Sequence, residues 1–133
     1  MNRVAVAAGV VVLLNLLVAT AHGLSHARSG VPLEPWQMAL ILVAVYAPPL
    51  LSAVLYWTRL RRFAAALLAG SMAAGTAFGV YYHFVADTVD HVAHRTSDEG
   101  GALFVATATL FWTPAGLLVS VIVTFAVNEP VVV

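Results

Sequence analysis

Tyr56-Trp57-Thr58-Arg59-Leu60-Arg61-Arg62-Phe63 is the stretch on which the fold turns. Its arginines separate two apolar segments, Trp36–Thr58 before them and Phe63–Ala86 after. A hydrocarbon core about 30 Å thick takes roughly 20 apolar residues of helix, so each segment is long enough to cross a bilayer. A link this short forces the second segment back alongside the first, as an antiparallel neighbour.

Working outward, Val4–Ala21 is apolar apart from Asn15 and Thr20, and its helix can run on toward Arg28. Ala102–Val127 is the last such run, and Asn128-Glu129-Pro130 follows it. Gly30 and Pro32 after the first run, and Gly100-Gly101 before the last, are breaks that end or delay a helix. The expected fold is therefore all-α: an integral membrane four-helix bundle in one transmembrane domain, residues 1–133. Its spans lie at about 4–26, 36–58, 63–86 and 102–127. Composition agrees, since 62% of the 133 residues are hydrophobic and 9% are charged, against roughly a quarter charged in soluble domains. A formal net charge of zero offers no basic surplus for nucleic acid. Without cysteine the chain forms no disulfide, thiolate site or iron–sulfur cluster.

Four spans put both termini on one side. That side carries Arg3, Arg59, Arg61 and Arg62 against Glu129; the other carries Arg28 and Arg95 against Glu34, Asp87, Asp90, Asp98 and Glu99. Arginine marks the cytoplasmic face, so the termini and the arginine turn are expected inside a plasma (inner) membrane, with loops 22–35 and 87–101 outside. Trp36 and Tyr56-Trp57 fit aromatic belts at the two interfaces. Arg3, the apolar run and Ala19-Thr20-Ala21 also read as a signal peptide. Cleavage there would leave three spans and an amino-terminal His22, whose amine and ring chelate copper.

The third span carries a small-residue series, Ser71, Gly75 and Gly79, of the kind that lets transmembrane helices approach closely. Pro48-Pro49 in the second span and Thr113-Pro114 in the fourth are expected to kink their helices. Neighbouring groups satisfy the freed carbonyls, or the kinks open a cavity toward the outer face.

All five histidines fall on the expected outer side. His22 and His26 are four residues apart, so a helix presents both on one face, and Asn15 lies on the same stripe. His83, Asp87, Asp90 and His94 follow steps of four, three and four, with His91 beside that stripe. Counting from the inner ends places His22 and His83 at similar depth. The candidate metal ligands are thus His22, His26, His83, Asp87, Asp90, His91 and His94. Imidazole with carboxylate suits zinc, copper or iron, and haem held between histidines of facing helices is a further option. Five histidines fall short of the larger clusters of membrane di-iron oxygenases.

The competing reading is a polar cluster that only ties the first and third helices together, in a non-catalytic subunit or scaffold. Its partners would be the lipid bilayer and other membrane subunits or further copies of itself. No GxSxG motif, phosphate loop or lysine is present, which leans against an enzyme. Ser25 is a conceivable nucleophile but reads more simply as a polar residue near a helix end. The uncharged middle of the spans argues against a monomeric ion pump.

The absence of cysteine makes the topology directly testable. Ser29→Cys should react with a membrane-impermeant maleimide added to intact cells, and Thr58→Cys only after permeabilisation. The reverse pattern would invert the orientation.

Overall fold

The computed structural model describes residues 3–31 and 33–94; the expected fourth span, 102–127, lies outside the described residues. Three helices follow one another, α1 (Arg3–Arg28), α2 (Pro35–Leu55) and α3 (Arg61–Val85), and each is long and apolar enough to cross a membrane. A short 3₁₀ turn, Val92–His94, comes after them. No strand occurs among the described residues. Large apolar side chains such as Leu13, Leu17, Val43, Val54 and Phe63 lie mostly exposed. An apolar surface of that kind is suited to lipid and not to water.

The buried face of α1 follows alternating steps of three and four: Ala5, Ala8, Val12, Asn15, Ala19, His22 and His26. This is the spacing of a seam packed against antiparallel neighbours. Small residues fill its first half and polar ones its second. Ala5, Ala8 and Val12 meet Tyr56 from the α2–α3 turn and Ala64, Ala65 and Leu68 from α3, forming the tight core at the arginine end. Gly30 ends α1 with φ 64°, and the Val31 amide donates to the His26 carbonyl at 3.1 Å. That closure needs the left-handed backbone that glycine adopts freely.

Pro35 starts α2 in the first turn, where its missing N–H removes no helical bond. The Glu34 amide there donates to Gln37 Oε1 at 2.7 Å. Pro48 and Pro49 have a larger effect. Without N–H groups they cannot serve the carbonyls of Ala44 and Val45, four residues earlier. The helix widens into a π-turn over Leu42–Tyr46, with the Ala47 amide donating to the Leu42 carbonyl. The Ser71 hydroxyl, on the small-residue face of α3, donates a short hydrogen bond to the freed Ala44 carbonyl. Ser52 donates to the Pro48 carbonyl at 2.7 Å. The expected kink is thus a π-turn with its Ala44 carbonyl answered by the neighbouring helix.

Helix α2 closes at Leu55, earlier than Thr58, because the Thr58 hydroxyl folds back. It donates to the Leu55 carbonyl at 2.8 Å and accepts from the Leu60 amide at 3.0 Å. On α3, Ser71, Gly75, Gly79 and His83 are buried along one face. The same steps of four that bring the helices together therefore carry His83 into the bundle.

Ser71→Ala should lower stability in detergent by about 1–3 kcal/mol, the range for leaving a buried carbonyl unanswered. Pro48→Ala restores an amide that can serve the same carbonyl. The cost of Ser71→Ala should then shrink in the Pro48→Ala background, as read by a double-mutant cycle of thermal unfolding. Equal costs in both backgrounds would rule the coupling out.

Candidate metal centre

Opposite the arginine end, α1 and α3 meet through imidazole rings. His22 Nε2 lies 3.1 Å from His83 Nε2 and 3.2 Å from His26 Nε2. All three rings are buried, and one ligand atom from each lies within 4.8 Å of the others. The 80° and 85° angles that His22 makes with its neighbours bring the rings together by their nitrogen edges and not stacked. Two imidazole nitrogens on one tetrahedral ion, each about 2.0–2.1 Å from it, lie about 3.3 Å apart. The spacing here is close to that edge.

The hydrogen bonds behind the rings decide which nitrogens face inward with lone pairs. A carbonyl only accepts, so the 3.0 Å contact between His83 Nδ1 and the Asp90 main-chain oxygen requires a proton on Nδ1. The neutral ring then has its lone pair on Nε2, facing His22. His26 Nδ1 lies 3.8 Å from Asp90 Oδ1, which draws its proton to the same outer side. One residue, Asp90, thus backs two of the three rings, through its main chain for one and its carboxylate for the other. Ligating histidines commonly donate their second N–H to such groups. With two lone pairs aimed at it, His22 Nε2 has one proton for two contacts. A cation at the meeting point would satisfy all three nitrogens.

Ser25 is not available as a nucleophile. It is fully buried, and its hydroxyl donates to the His22 carbonyl at 2.6 Å. Ser29 does the same for Ser25, and these bonds firm the last turns of α1 around His22 and His26.

The stripe expected for His83, Asp87, Asp90 and His94 does not form, because the helix ends at Val85. A π-turn over Tyr81–Val85 is closed by the Ala86 amide on the Tyr81 carbonyl at 2.7 Å, and Ala86 is extended, with φ −77° and ψ 131°. The Thr88 hydroxyl accepts from the Asp90 amide at 3.3 Å. Thr and Asp side chains favour such turns over helix interiors. Asp90 is carried back beneath His83, whereas Asp87 points away and pairs with His94 at 3.2 Å on the exterior. His94 Nδ1 donates to the Thr88 carbonyl, and His91 Nδ1 accepts from the Ala93 amide. Of the seven candidate ligands, His22, His26 and His83 converge with Asp90 behind them, and Asp87, His91 and His94 lie in the following turn.

A cavity of about 370 Å³ adjoins the three rings. Sequence reading missed its walls: Ala19 and Leu24 from α1, Met38, Ile41, Leu42 and Val45 from α2, and Phe78 and Tyr82 from α3. Both π-turns border it. Phe78 and Tyr82, one turn apart, stack at 4.7 Å beneath Trp36. That i, i+4 aromatic pair was the one sequence signal for this wall.

No protein-family model matches this chain, and no curated protein or solved structure matches it significantly.

The tautomer is a direct check on this geometry. In ¹⁵N-histidine-labelled protein without added metal, His83 should carry its proton on Nδ1, read from two-bond nitrogen–carbon-proton correlations. A proton on Nε2 would contradict the bond to Asp90.

Proposed function

We propose that this protein is a membrane metal-binding protein that holds one first-row transition-metal ion on the Nε2 atoms of His22, His26 and His83. The observation that carries the reading is the separation of those atoms, 3.1 and 3.2 Å, with the His83 lone pair turned inward by Asp90. Three neutral imidazoles suit zinc, copper, iron or nickel, and a three-ligand site leaves one corner of a tetrahedron open. Haem is a poorer fit. A porphyrin between His22 and His83 would need their nitrogens on opposite faces, separated by about twice the 2.0 Å ligand distance. The charge asymmetry of the loops puts the metal near the outer face of a plasma membrane.

The second reading, a structural polar knot in a membrane subunit, draws on the same contact. His22 and His83 come from different helices and tie α1 to α3 whether or not a metal binds.

Metal analysis of the full chain purified in detergent separates the two. The protein should carry about one metal ion per chain. His22→Ala or His83→Ala should reduce this at least tenfold, and His94→Ala, in the exterior turn, should leave it intact. Metal well below stoichiometry in the wild type, indifferent to these changes, would favour the structural knot.

A further inference from the structure

Resting on that metal reading, we infer that the open coordination position receives the oxygen of a small hydroxyaromatic molecule, a phenol with an apolar body, which enters sideways from the bilayer. His22, His26, His83 and Asp90 all border one cavity of about 370 Å³. An ion on the three nitrogens would therefore face that space. The volume is near the lower end of small-molecule sites, roughly 300–1,000 Å³. Away from the imidazoles its wall is largely apolar, with Ile41, Val45 and the Phe78–Tyr82 pair. Such a wall gives an aromatic ring favourable edge and face contacts, and leaves the metal as the natural partner for a polar head.

The direction of entry follows from residues that belong to two surfaces. Leu24, Met38 and Leu42 line the cavity and are also 54%, 46% and 53% exposed. They lie on α1 and α2 within helices long and apolar enough to span a membrane. The mouth between these helices therefore opens on the lipid-facing surface. A molecule dissolved in the hydrocarbon reaches the site without crossing a polar barrier. A small hydrophilic anion would have to leave water to do so, at a large desolvation cost.

Cobalt(II) gives the test a visible signal. The full chain in lipid nanodiscs is loaded with cobalt, and its d–d spectrum is followed during titration with 4-butylphenol and with butylbenzene. A saturable change is expected with butylphenol and none with butylbenzene, which has the same body but no oxygen. Ile41→Trp and Val45→Phe fill the cavity without touching a ligand. Both should retain the cobalt spectrum and weaken the butylphenol response at least tenfold. If cobalt binds but butylphenol leaves the spectrum unaltered, or acts equally on both cavity variants, the inference fails while the metal centre stands. If cobalt does not bind the wild type, the metal reading itself fails, before any phenol is added. Should both variants lose cobalt, the wild-type contrast between butylphenol and butylbenzene decides alone.

Discussion

Hydrocarbon offers no hydrogen bonds, so a polar group inside a membrane protein must be answered by the protein itself. Much of this molecule follows from that constraint. Pro48 withholds an amide from the Ala44 carbonyl, and Ser71 supplies a hydroxyl from across the helix interface. Ser25 and Ser52 return their hydroxyls to carbonyls of their own helices. The histidines obey the same rule at higher stakes. Three rings with six nitrogens are buried together, and each takes a place in one connected group that reaches the Asp90 main chain.

The two ends of the bundle meet the constraint differently. At the arginine end, alanines at Ala5, Ala8, Ala64 and Ala65 remove the problem by bringing helices together with nothing polar between them. At the histidine end the residues are larger, the helix turns are widened, and a cavity remains. The first arrangement holds the helices in register, and the second uses that register. Small side chains near one end fix where His22 and His83 meet at the other, because both lie on the packing stripes of their helices.

That continuity explains which parts of the site were legible in the sequence. His22 and His26 declared themselves by their spacing, Asn15 extended their stripe, and the glycines before His83 pointed it inward. Depth counted along the spans brought the two groups level. What failed was the extension of the α3 pattern past Val85. The steps from His83 to His94 match a helical period, but Asp87, Thr88 and Asp90 are residues that bend the chain by bonding to their own backbone. Asp90 was picked as a ligand through its carboxylate, yet its firmest link to the site is a main-chain oxygen, which every residue possesses. Sequence carries no mark of it. The fourth span rests on hydropathy alone.

The π-turns have an implication for how such a site can arise. A π-turn is an α-helix that has gained one residue while keeping its ends in place. The helix beyond the insertion is rotated relative to the part before it, so its two lengths need not share a phase. In α3 the glycine face that packs the bundle and the segment that aims His83 are joined through such an insertion, over Tyr81–Val85. The aim of the imidazole is then set by a change in chain length as much as by choice of residue. One inserted codon could turn a packing helix toward ligand chemistry and leave its glycine-lined interface undisturbed.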